Sequence, residues 1–151
     1  MQRFGLILGM LALSLAQPGL AQSDGEVITK QYNDGSVYEG TFKDGVQDGT
    51  GTYRLPNGFE YSGTWVNGQI EGMGRARYPN GSVYEGAFVA GKPEGKGKIN
   101  YADGGSYDGD WLAGEITGTG RATYAGGAVY DGQMLNGKHH GTGTLIDGQG
   151  M

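Results

Sequence analysis

Tyrosine recurs at residues 38, 61, 84, 107 and 130, a spacing of 23 without slippage, and glycine keeps step with it. With each Tyr as offset 0, glycine occupies offsets 2, 7, 11, 13 and 20 in all five units. Offset 2 is Gly40, Gly63, Gly86, Gly109 and Gly132, and offset 4 is large and apolar throughout: Phe42, Trp65, Phe88, Trp111 and Met134. A unit this short cannot bury a core alone, so the period dictates an array of units stacked on one another. The half-unit Tyr32-Asn33-Asp34-Gly35 matches offsets 17 to 20. Residues 30–37 therefore read as a partial repeat ahead of five whole ones at 38–60, 61–83, 84–106, 107–129 and 130–151, with 22–29 a short leader or first strand.

Within a unit, offsets −1 to 5 alternate, as in Val37-Tyr38-Glu39-Gly40-Thr41-Phe42-Lys43. Period two with aromatic and β-branched residues predicts a strand with Tyr, Gly and Phe on one face. Offsets 12 to 17 predict a second strand. Asn57-Gly58, Asn80-Gly81, Asp103-Gly104 and Gly126-Gly127 predict type I′ turns between units, and offsets 6 to 11 a longer connection. The fold class is all-β, an antiparallel sheet of ten or eleven strands. Glycine weakens a strand, so its fixed positions need a steric reason. The expectation is that rings lie flat over bare backbone, each hairpin's rings covering its neighbour's glycines. Glycine at 33 of 151 residues would otherwise suggest low complexity, but the period and the 11 % aromatic content argue for a packed structure.

Arg3, the apolar run from Phe4 to Leu15 and the small residues Gly19 and Ala21 predict a secretory signal over 1–21, cleaved between Ala21 and Gln22. Twelve residues are too few for a bilayer span, which needs about 20. The protein is accordingly expected to be secreted or periplasmic. The chain from Gln22 carries 10 Lys+Arg against 16 Asp+Glu, a formal net charge of −6, which argues against nucleic acid as a partner.

The pattern Tyr-Glu-Gly-x-Phe/Trp-x-x-Gly-Lys-x-x-Gly-x-Gly, clearest over Tyr84–Gly97, resembles the MORN repeat, and the resemblance covers residues 30–151. It implies an elongated, twisted antiparallel sheet of stacked hairpins. It also implies roles in protein–protein contact, assembly or, in some members, membrane-lipid association. Met134 and Ala125-Gly126 depart from the pattern and suggest a looser C-terminal end.

Catalytic chemistry finds little footing. There is no Cys, which excludes thiolate catalysis and thiolate metal sites. The only histidines, His139 and His140, are placed by this reading in the longer turn of the last unit, without a third ligand at metal spacing. Gly-x-Gly pairs such as Gly72-Met73-Gly74 lack the helix that makes a phosphate loop work. Asp103, Asp108 and Asp110 gather near a turn but not in EF-hand order. No enzymatic activity, metal or cofactor is expected, and a hydrolase would lack a cleft to perturb its carboxylates.

Offset 1 is acidic at Glu39, Glu85, Asp108 and Asp131, and the second strand carries Arg54, Arg75, Arg77, Lys96, Lys98 and Arg121. Cross-strand charge pairing is the simpler account; a basic stripe for an anionic lipid headgroup or cell-wall glycan is the alternative. The last strand, with Thr144, Leu145 and Ile146, is a candidate edge for self-association or an extended partner. The expected function is a protein-binding or scaffolding module.

Overall fold

The structure is a computed structural model that describes residues 25–149; the expected signal segment lies outside the described residues. Eleven strands form one open sheet in chain order, every neighbouring pair antiparallel. They are β1 (Ile28–Gln31), β2 (Val37–Lys43), β3 (Val46–Arg54), β4 (Glu60–Val66), β5 (Gln69–Arg77) and β6 (Val83–Val89), followed by β7 (Lys92–Asn100), β8 (Ser106–Leu112), β9 (Glu115–Thr123), β10 (Val129–Leu135) and β11 (Lys138–Ile146). The all-β hairpin array expected from the period is what the chain forms. At about 4.8 Å per strand the sheet is roughly 50 Å long. β1 straddles the boundary drawn between leader and partial repeat, and its turn into β2 closes like those between whole units, with Tyr32 N–H donating to Ser36 O at 2.9 Å.

The two turns of the unit are the reverse of the expectation. The tight turn falls at offsets 6 and 7, where both residues have positive φ, as in Asn67 (50°) and Gly68 (82°). That is the type I′ geometry of a two-residue hairpin, and it leaves no long connection over offsets 6 to 11. The second strand consequently begins at offset 8, not 12, and runs nine residues. The Asn-Gly sites instead form three-residue loops in which only the glycine has positive φ. Gly58 N–H donates to Leu55 O, and Leu55 N–H to Phe59 O. Pro56 and Pro79 hold φ near −65° at the first loop position, which rules out a type I′ turn there. The Asn or Asp side chain serves as an acceptor two residues on, as when Asn80 Oδ1 takes Ser82 N–H at 2.8 Å.

Between Gly40 and Phe42 the register of β2 on β3 shifts, and the same bulge recurs between offsets 2 and 4 of each later unit. The offset-11 glycine sits in this bulge with positive φ, for example Gly95 at 84°. It serves the backbone there and not a ring.

The core is one layer of side chains on one face. Tyr38, Tyr61, Tyr84, Tyr107 and Tyr130 are buried with Phe42, Trp65, Phe88, Trp111 and Met134. Met134 is as buried as the aromatics it replaces, and the loop at Ala125-Gly126-Gly127 closes with the same two hydrogen bonds as the others. The C-terminal unit is therefore not looser at those positions, although β11 is exposed along its length.

Candidate functional site

The ring layer is built from the glycines upward. Ten glycines at offsets 2 and 13 lie opposite one another across the sheet, from Gly40 and Gly51 on β2 and β3 to Gly132 and Gly143 on β10 and β11. Each Tyr ring rests on two of them. A Cβ on Gly97 would come within 3.0 Å of the Oη, Cζ and Cε1 of Tyr84, and one on Gly86 would meet Tyr84 Oη and the backbone of Gly97. Gly86 and Gly97 belong to the same unit as Tyr84. The expectation that rings cover the glycines of a neighbouring hairpin is thus incorrect: each tyrosine is seated on its own hairpin. Register alone does not decide this, since Gly97 also faces Gly109 of the next unit; the phenol is held over its own hairpin by its hydrogen bond to Ala87 O.

The units are joined differently. Tyr84 meets Phe88 of its own unit and Trp111 of the next edge-on, at 5.0 and 5.1 Å. Trp111 Nε1 donates to Gly97 O of the preceding unit at 3.0 Å, as Trp65 Nε1 does to Gly51 O at 3.2 Å. The phenols donate three residues along the strand, Tyr84 Oη to Ala87 O at 2.8 Å and Tyr38 Oη to Thr41 O at 2.8 Å. Burial pushes the phenols of Tyr38, Tyr61 and Tyr84 up to about 12.

A second join escaped the sequence reading. The type I′ turn of each unit docks on the unit before it. Gly91 N–H donates to Ile70 O at 3.0 Å, and Ala90 N–H to the Glu71 carboxylate at 2.6 Å. The bond from offset 6 recurs with Asp48, Glu94 and Thr117 as acceptors. These acceptors all stand at offset 10, so the 23-residue period held the signal.

Beside the rings, between the three-residue loops and the type I′ turns, three open hollows make an interrupted trough. One stretch of about 390 Å³ lies among Tyr32, Tyr53, Trp65 and Ile70. Another of about 500 Å³ lies among Tyr78, Ile99, Tyr101 and Trp111, and a third of about 330 Å³ among Tyr101, Ile116, Tyr124 and Met134. Tyr101 and Tyr124, at offset 17, are 39 and 43 % exposed and present ring surface to solvent. Stretches of this size, mostly apolar with a few polar groups, suit a ligand's side chains.

The opposite face carries the charges. Four of the six singled-out bases are engaged across strands: Arg54 with Glu60 at 2.8 Å, Arg75 with Glu85 at 2.9 Å, Arg121 with Asp131 at 2.6 Å, and Lys96 with Asp110. Arg77 and Lys98 form no ion pair among the described residues. Lys98 stands in register between Glu85 and Asp108, and Arg121 between Asp108 and Asp131, so sign alternates along the sheet and no continuous basic stripe forms.

The Asp cluster also disperses. Asp103 accepts Gly105 N–H, and Asp110 takes Lys96 and Thr119 N–H, contacts that hold its carboxyl below the usual range, the Lys96 bond foremost. The histidines lie in β11, not in a turn. His139 stacks on Tyr130 at 3.7 Å and its Nε2 is 2.6 Å from Tyr124 Oη. Thr144, Leu145 and Ile146 are on β11, one of the two edge strands of the described sheet, with Leu145 58 % and Ile146 47 % exposed.

No curated protein matches the chain. Among solved structures it is similar to the TCP domain of SAS-4 (dCPAP) from Drosophila melanogaster, seen in complex with a proline-rich motif of Ana2 (dSTIL). The identity is 17 %, 72 % of each chain is covered and the TM-score is 0.37, too low to carry an argument. The family model for the MORN repeat matches residues 38–59, 61–83, 84–106, 107–129 and 130–151, five times over a chain whose register, ring seats and joins repeat with the same period. The chain belongs to the MORN repeat family.

Proposed function

We propose that this protein is an exported, non-catalytic scaffold whose ring-lined trough holds a segment of a partner protein. The observation that supports it most is the recurrence of an open apolar stretch beside the exposed ring surfaces of Tyr101 and Tyr124. Aromatic rings that present area without much rotamer entropy are the side chains binding surfaces favour. Strand addition at Thr144, Leu145 and Ile146 is a second route for a protein partner, supported by the exposure of Leu145 and Ile146. A lipid headgroup or glycan bound through the basic residues draws less support, because Arg54, Arg75, Lys96 and Arg121 already face carboxylates.

The test is crosslinking of the native protein followed by identification of what is attached. Capture should vanish in Tyr101→Ser/Tyr124→Ser while the fold is retained, and N-terminal sequencing should begin at Gln22. A partner recovered equally with both rings removed would refute the trough as the binding surface. Loss of capture in Ile146→Pro alone would place the partner on β11.

A further inference from the structure

Offset 5 is the last outward position of the first strand before the type I′ turn. There the second to fifth units carry Val66, Val89, Leu112 and Leu135, 45, 49, 56 and 44 % exposed, whereas the first unit carries Lys43. Strand alternation places them on the charged face, away from the rings, so the core does not explain them. Neighbours in this row are two strands apart, about 10 Å, and the row spans about 30 Å along one rim. Single exposed aliphatics are ordinary, whereas a periodic row is the kind of surface that marks an interface. In register with them across the turn stand Gln69, Lys92, Glu115 and Lys138, all exposed. None of the three charges is in an ion pair among the described residues.

We infer that this rim is the seam of an antiparallel dimer between two copies of this chain. A two-fold axis sets each position against its counterpart in the second copy. With the axis between the third and fourth units, Val89 meets Leu112 of the second copy, Val66 meets Leu135, Lys92 meets Glu115 and Gln69 meets Lys138, each contact made twice. Centring the axis on the third unit sets Lys92 against itself; centring it on the fourth sets Glu115 against itself and Lys92 against Lys138. A shift by one whole unit leaves two of the four aliphatics without an aliphatic counterpart. One register alone matches all four aliphatics and opposes Lys92 to Glu115, leaving Lys43 beyond the end of the seam, and such complementarity is what selects a partner and its alignment. Gln69 and the turn at Ala90-Gly91 border the first stretch of the trough, but Lys92, Glu115 and the four aliphatics do not line it, so the variants below test the seam separately from Tyr101 and Tyr124.

Sedimentation of the parent protein over a range of concentrations should show a monomer–dimer equilibrium. Lys92→Glu or Glu115→Lys alone should each weaken it by about tenfold or more, and the double reversal should restore it. The chain has no cysteine, so introduced thiols report cleanly. Val89→Cys mixed with Leu112→Cys should crosslink, and either one alone should crosslink poorly. The inference is overturned by a parent that stays monomeric, by a double reversal that fails to restore association, or by Val89→Cys joining to itself as readily as to Leu112→Cys.

Discussion

Gly97→Ala adds one methyl group to a strand, a change that ordinarily helps, since alanine suits a strand interior better than glycine by up to about 1 kcal/mol. Here the methyl would enter the space held by Tyr84, with the ring's Oη, Cζ and Cε1 all closer than 3.0 Å. Tyr84 is fully buried, so the ring has no rotamer that avoids the methyl without leaving the core. Leaving breaks the hydrogen bond to Ala87 O, about 1 kcal/mol. It also breaks two edge-to-face contacts, with Phe88 and Trp111, each about 0.5–1.5 kcal/mol beyond area. The expected loss is about 2–4 kcal/mol, read from urea unfolding followed by tryptophan fluorescence, because Trp111 reports directly on the ring that moves. Gly126→Ala is the control: its Cβ meets nothing within 4 Å and its φ is not positive, so stability should be unchanged or rise by about 0.5 kcal/mol. In the Gly97→Ala background, Tyr84→Ala should cost far less than in the parent. A Gly97→Ala protein that unfolds within about 0.5 kcal/mol of the parent would refute the ring-seat account.

Ala113 occupies the first position of a type I′ turn at φ 51°, a region that costs an alanine about 1 kcal/mol, so Ala113→Gly should stabilise by about that amount in thermal unfolding. Glu94→Ala removes the acceptor for Ala113 N–H and should raise hydrogen exchange at that amide about tenfold, with little change at Ala90. The phenols of Tyr38, Tyr61 and Tyr84 are raised in the folded state, so the stability they contribute is intact below pH about 10 and is lost as pH climbs through about 12. Ultraviolet titration should show a late phenolate step coincident with unfolding, and ten tyrosines ionising together near pH 10 would contradict it. Asp110 is lowered in the folded state, chiefly by its bond from Lys96, so its contribution is present at neutral pH and lost as the solution is acidified through the folded pKa. Lys96→Met should move the Asp110 titration, followed by NMR, back up.

The architecture was legible because periodicity survives any ignorance of local geometry: Tyr84, Gly86 and Phe88 had to share a face, and stacking had to supply the core. The turns were misread because Asn-Gly satisfies two turn types, and only the proline at 56 or 79 distinguishes them from sequence. The type I′ turns carried the Asx-Gly signal at Asp44-Gly45, Asn67-Gly68 and Asn136-Gly137, but not at Ala90-Gly91 and Ala113-Gly114, where the alanine N–H at positive φ donates to a carboxylate of the preceding unit. Which glycines a ring would cover depended on the bulge, a shift of register that alternation cannot reveal. The trough and the aliphatic rim were both present as offsets, 17 and 5, yet neither differs by residue type from ordinary strand positions. Their exposure became visible only once the faces were assigned.

Because each tyrosine is seated within its own hairpin and the joins recur with the period of the repeat, the coding sequence tolerates gain or loss of whole units and penalises other length changes within the strands. Gain or loss of 23 codons leaves every ring on its glycines and adds or removes a single join. An insertion of another length inside a strand displaces a phenol from its carbonyl or a turn from its acceptor. Unequal recombination between units is therefore the natural route by which such a gene would grow, with reach along the sheet changing in steps of about 10 Å.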